Sequence, residues 1–216
     1  MNRRDFSTRT AGVVGASALA WSGLAQAQKK LEDGREYRSL DKRVAVQAPP
    51  GKIEVIEFFW YSCPHCNAFE PKLVSWIKGL PADVVVRRVP VAFRDDFVPQ
   101  QRLFYTLEAM GKLDELHGKV FEAIHVKKDQ VNREDLILAF AEKNGLDRAK
   151  VAEFYNSFSV SNKARQAAVL QDAYKVEGVP AIGIAGRFYT DATMAGNMEK
   201  ALQITEYLIA EVRKSK

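Results

Sequence analysis

A chain of 216 residues, 47% of them hydrophobic, can bury a core without covalent staples, and its two cysteines are too few for a structural disulfide framework. The net charge of +5 is dispersed in mixed-sign neighbours such as Lys112/Glu115 and Arg148/Glu153. That is the pattern of a solvated surface, so no nucleic-acid partner is expected.

Met1 to Ala27 reads as a cleaved export signal, with basic Arg3 and Arg4, an apolar stretch from Ala11 to Leu24 and an A-x-A site at Ala25-Gln26-Ala27. Arg3-Arg4-Asp5-Phe6 also resembles a twin-arginine core, which leaves the export route open between two systems. Either route delivers residues 28–216 to an oxidising compartment. Residues 28–50 are polar, with one expected edge strand around Tyr37 to Leu40. Ile53 to Trp60 is a near-continuous apolar run, broken by Glu54 and Glu57, that suits a strand covered on both faces. From Pro64 the period changes, and Phe69, Leu73, Trp76, Ile77 and Leu80 form one stripe of a helix kinked at Pro71. Val84 to Val91 reads as a second strand, closing a βαβ unit.

A helical stretch follows, with candidate helices Pro99–Met110, Leu113–Val126, Arg133–Lys143, Arg148–Ser157 and Ser161–Val176. Asn132 and Asp147 are expected N-caps, and Gly111 and Gly145 expected stops. Strands return at Ala181–Ile184 and Arg187–Thr190, joined by a turn at Ala185-Gly186, and a last helix runs from Met198 to Val212. The order predicts an α/β fold with an inserted all-helical domain. Its expected parts are 28–95, the insertion 96–160, and 161–216.

Both cysteines lie in Cys63-Pro64-His65-Cys66, at a strand-to-helix junction. A thiol attacks a disulfide as thiolate, and a helix start favours the thiolate, so Cys63 is the expected nucleophile. Cys66, one turn further in, is expected to resolve the mixed disulfide. Pro64 fits the first helical turn, where its missing N–H costs nothing, and His65 can offer positive charge or a donor to the Cys63 sulfur. A thiolate stabilised in this way favours the reduced pair, so the motif predicts a donor of disulfides. Zinc is not expected, because His117 and His125, the only other candidate ligands beyond the loop, are read as partly exposed residues on different helical faces. Phe104, Tyr105, Phe121, Phe140, Phe154 and Tyr155 are read as packing residues.

Glu57 interrupts the first strand six positions before Cys63. It is either an edge residue in water or a buried carboxyl that relays protons for Cys66, with Arg88 as partner. Val179-Pro180 would be an ordinary trans turn on local sequence alone. Between a βαβ unit and a ββα end it is expected to be cis, presenting the Val179 backbone to an extended substrate peptide.

Glu57-Phe58-Phe59, Cys63-Pro64-His65-Cys66 and Gly178-Val179-Pro180 together resemble the DsbA family of bacterial periplasmic thiol oxidases, in the thioredoxin superfamily. The resemblance implies a thioredoxin-like fold with the helical insertion, a mixed disulfide at Cys63 resolved by Cys66, proton transfer by Glu57 and a cis Pro180. It also implies a periplasmic monomer without cofactor, acting on reduced, unfolded exported proteins and reoxidised by a DsbB-type inner-membrane quinone reductase. A disulfide isomerase or reductase and a peptide-binding chaperone are the alternatives. The chain departs from the best-known members in lacking a second cysteine pair and in carrying Trp60-Tyr61-Ser62 before the nucleophile.

Overall fold

The computed structural model describes residues 31–215, so the expected export signal, Met1 to Ala27, lies outside the described residues. Seven consecutive residues, Ile-Glu-Val-Ile-Glu-Phe-Phe, form the central strand β2 (Ile53–Phe59), and all seven are buried. Successive side chains of a strand alternate between faces. Accordingly Ile53 and Val55 pack with Phe69, Leu73 and Leu208, whereas Ile56 and Phe58 join the core containing Leu103, Leu116 and Val120.

Around β2 the sheet takes the order β1-β5-β4-β2-β3, with β1 (Arg38–Ser39), β3 (Val84–Pro90), β4 (Ala181–Ile184) and β5 (Phe188–Asp191). β2 and β3 are parallel, as a βαβ crossover requires, and the remaining pairings are antiparallel. Helix α1 (Pro64–Lys78) makes the crossover and continues through Pro71. The parallel register sets Ile56 opposite Arg87 and Glu57 opposite Arg88. Glu54 is as buried as its neighbours, and Arg87 Nε and Nη2 donate to its two oxygens at 3.1 and 3.2 Å.

Five helices separate β3 from β4, namely α2 (Val98–Ala109), α3 (Leu113–His125), α4 (Glu134–Lys143), α5 (Arg148–Tyr155) and α6 (Phe158–Ala173). Their apolar stripes share a core with one face of the sheet, so Phe59 meets Phe104 and Phe121. Asp147 caps α5 as expected, accepting from the Lys150 amide at 3.0 Å. Asn132 caps nothing; Arg133 holds the N-cap position of α4 and makes no side-chain cap bond. α6 starts three residues before its predicted position because Ser157 Oγ accepts from the Val160 amide at 3.2 Å, so residue 160 lies inside this helix. A 3₁₀ turn at Asp95–Phe97 and the four-residue α7 (Ala192–Ala195) are too short to leave a periodic signal. The terminal α8 (Met198–Lys214) begins on Asn197, whose side chain accepts from the Lys200 amide at 2.8 Å. Among the described residues no helix is long and apolar enough to cross a membrane.

Gly183, in the middle of β4, faces the ring of the fully buried Tyr174, and a methyl group there would overlap ring carbons. The ring is also pinned, because the Tyr174 hydroxyl accepts the Gly186 amide at 3.0 Å. Gly183→Ala is therefore expected to destabilise the protein by about 2 kcal/mol, through overpacking and the loss of that hydrogen bond. Urea unfolding checks this, and an unchanged midpoint would show that the ring yields freely.

Candidate active site

The chain leaves β2 at Phe59 and turns through Tyr61 and Ser62, the turn closing where the Cys63 amide donates to the Trp60 carbonyl at 3.1 Å. Cys63 is the N-cap of α1, with extended backbone at φ −78° and ψ 117°, and Pro64 follows in the first turn. Its sulfur does what a capping oxygen does elsewhere, accepting the Cys66 amide at 3.3 Å. The same sulfur lies 3.4 Å from the Val179 carbonyl oxygen, to which the Cys63 thiol can donate. The Val179–Pro180 bond is cis, as expected from its place between the two halves of the sheet. The two cysteines are free thiols, Cys63 with 7% of its surface exposed and Cys66 with none.

The two sulfurs have opposite electrostatics. A hydrogen bond from the Cys66 thiol, with the amides of Cys66 and His65 and the His65 imidazole, brings Cys63 down to about 6 against the opposing effect of burial. Cys66 is pushed far above the ordinary thiol range, first by burial and then by its contact with Cys63. The pair therefore holds one proton at neutral pH, and Cys66 holds it.

Glu57 is 2% exposed, which rules out an edge residue in water. Burial raises its carboxyl to about 8 despite Arg88. Arg88 Nε stands 3.2 Å from Glu57 Oε2, but off the hydrogen-bond direction. The guanidinium is spent on Glu70 instead, Nη2 donating to Oε1 at 2.7 Å. Burial opposes ionisation of Glu70 as well, but the His117 and Arg88 contacts hold it below the usual carboxylate range. Arg88 and Glu70 thus form the charged pair, and Glu57 is left as a neutral acid.

His117 requires a correction, since it is 5% exposed and at the centre of the polar network. Its Nδ1 lies 2.9 Å from the Tyr61 hydroxyl and its Nε2 3.6 Å from Glu70 Oε2. Burial favours its neutral form, and burial likewise keeps the proton on Tyr61. His125 is half-buried, and its Nε2 is 2.8 Å from the Tyr61 carbonyl oxygen. The two histidines therefore converge on one residue. The sequence held a signal for this, because His117, Phe121 and His125 are spaced i, i+4, i+8, and Phe121 is a core residue. Gln100, 1% exposed, was also missed: its Oε1 accepts the Ser62 amide at 3.2 Å, and its Nε2 donates to Ser62 Oγ at 2.7 Å and to the Val131 carbonyl at 3.0 Å.

Beside Cys63 a cavity of about 440 Å³ is lined by His65, Phe69, Val179, Pro180 and Met198, with the Lys72–Glu199 ion pair on its rim. The expected contributors to peptide binding, Val179 and Pro180, therefore lie in one depression with His65. Among the described residues no group of three or more His, Cys, Asp or Glu side chains is placed to hold a metal. The arrangement can perform thiol–disulfide exchange, with Cys63, the more exposed of the two cysteines, as the point of attack and the buried acid Glu57 acting on Cys66.

A sequence-family model described as the DSBA-like thioredoxin domain matches residues 84–203. The thiol:disulfide interchange protein DsbA of Bordetella parapertussis is 38% identical over 209 residues, 96% of this chain and 99% of that protein. The protein of the same name from Burkholderia cepacia is 37% identical over 196 residues, 90% of this chain and 92% of its own. The crystal structure of Pseudomonas aeruginosa DsbA superposes with a TM-score of 0.81 at 39% identity, covering 86% of this chain and 96% of that one.

Proposed function

This chain belongs to the DsbA family of thioredoxin-fold thiol:disulfide oxidoreductases, and from that premise we propose that it is a periplasmic dithiol oxidase whose clients are reduced, newly exported proteins. A client thiolate attacks Cys63 Sγ of the Cys63–Cys66 disulfide. The bond between the two cysteines breaks, a mixed disulfide forms at Cys63, and Cys66 leaves and takes up a proton, for which Glu57 is the donor. A second client thiol, giving its proton to solvent, then attacks the client sulfur and expels Cys63 as thiolate. Two client thiols become one disulfide and two electrons reach the cysteine pair. A DsbB-type membrane quinone reductase withdraws them, and the protein acts as a monomer without a cofactor.

The single observation that carries the direction of transfer is the low Cys63 thiol beside a high Cys66. At pH 7 a thiol lowered from 9.0 to about 6 stabilises the reduced pair by at most ~1.4 kcal/mol, or ~30 mV, less whatever solvent screening of the accessible sulfur removes. Ionisation thus contributes to the oxidising tendency without supplying all of it.

The test is the equilibrium with glutathione as a function of pH. Below pH 6 reduction takes up two protons, and the potential is expected to fall by about 59 mV per pH unit. Above about 6 only Cys66 is protonated, so the fall is expected to halve to ~30 mV per unit. An unbroken steep slope from pH 5 to 8, with the potential of a reductant, would overturn the reading in favour of a reductase.

A further inference from the structure

The turn before the nucleophile is held by side chains that take no part in the exchange steps above. Tyr61 and Ser62 are its two central residues, and the groups that grip them all come from α2 and α3. Gln100 takes both the amide and the hydroxyl of Ser62, and anchors itself on the Val131 carbonyl. His125 takes the Tyr61 carbonyl, which can only accept, so Nε2 of His125 carries the proton. His117 takes the Tyr61 hydroxyl, and its Nε2 faces the Glu70 carboxylate, so Nδ1 is the acceptor and the hydroxyl the donor. Rings of Phe59, Phe104 and Phe121, 5.2 to 6.0 Å from the His117 ring, exclude water from this end of the network.

We infer that Gln100, His117 and His125 are positioning residues of the disulfide exchange: through the Tyr61–Ser62 turn they hold Cys63 Sγ between the Cys66 amide and the Val179 carbonyl. The inference rests on the oxidase reading and adds a role for the helical block within it. At 3.3 Å the Cys66 amide bond to sulfur is sensitive to small displacements of the Cys63 backbone, and that backbone begins one residue after the Gln100 clamp. A side chain of Gln100's shape without its amide would leave the N–H of the half-buried Ser62 unpaired, and the turn would relax to satisfy it.

Gln100→Met supplies that shape, and Gln101→Met is the control. Gln101 is 2% exposed and donates to the Pro90 carbonyl at 2.9 Å, a comparable buried bond at the end of β3 rather than on the turn. In Gln100→Met the Cys63 thiolate absorbance is expected to titrate about half a pH unit higher, with a threefold shift of the glutathione equilibrium towards a weaker oxidant. Gln101→Met is expected to leave both unchanged, whatever it does to stability. Should Gln100→Met not fold, Tyr61→Phe, which removes one hydroxyl, carries the same expectation. A variant indistinguishable from wild type in both measurements, or a control that moves them equally, overturns the inference while leaving the oxidase reading intact. Wild-type Cys63 titrating like a free cysteine would remove both.

Discussion

Loaded at Cys63 with a single-cysteine peptide, the Cys66→Ala protein is expected to keep that peptide at least a thousandfold longer than wild type. In wild type the Cys66 sulfur sits within the first turn of the helix that Cys63 caps, and attack on the mixed disulfide is intramolecular. Well-oriented intramolecular groups react with effective concentrations of about 10⁵ M or more, and even a small part of that advantage covers the expected factor. The opposing effect is the high Cys66 proton affinity, which keeps the attacking thiolate scarce at neutral pH. Orientation wins only if a base collects that proton locally. Mass spectrometry of the adduct over time gives the release rate, and equal rates for wild type and variant would mean that Cys66 does not resolve the mixed disulfide.

Glu57→Gln is expected to make the protein more stable and its chemistry slower. The folded carboxyl titrates at about 8 and the unfolded one near 4.5, so the folded state binds the proton more tightly. Below pH 4.5 both states are protonated and the substitution is near neutral. As pH rises, the unfolded state ionises while the folded state does not, and wild type loses about 1.4 kcal/mol per unit until the pH passes 8. At pH 7 the glutamine variant is expected to gain up to about 3 kcal/mol, with the gain levelling off above pH 8. Urea unfolding at pH 4, 7 and 9 reads the profile, and a pH-independent difference would show that Glu57 is ionised in the folded protein. In the same variant, attack of a client thiol on the Cys63–Cys66 disulfide is expected to slow, because the amide has no proton to give to the departing Cys66.

The redox centre was legible because it is local. An apolar run, two cysteines one turn apart and a change of hydrophobic period are contiguous features, and they gave β2, α1 and the assignment of Cys63 to a helix start. Glu57 was legible as an anomaly, but its burial depends on the pairing of β2 with β3, which brings Arg88 beside it from 31 positions away. Gln100 carried no such mark, and His117 only its spacing with Phe121 and His125. A glutamine or histidine within an amphipathic helix looks like any polar residue until the helix is docked, and each finds a hydrogen-bond partner in the turn at Tyr61–Ser62. The start of α6 differed for a smaller reason: Ser157, read as the last residue of the preceding helix, is the N-cap of α6.

The two central strands carry a consequence for fidelity of assembly. Glu54 and Glu57 on β2 are three positions apart and so lie on opposite faces, and Arg87 and Arg88 on β3 answer them one on each face. Sliding β3 by a single residue would turn both guanidinium groups to the wrong side and leave two acids and two bases stranded in apolar surroundings. Apolar strands alone would tolerate such a slip, because one valine replaces another along Val84-Val85-Val86. The two carboxyl and two guanidinium groups act as a key that admits one alignment, and the spacing from sheet to cysteine pair is copied from that alignment in every molecule.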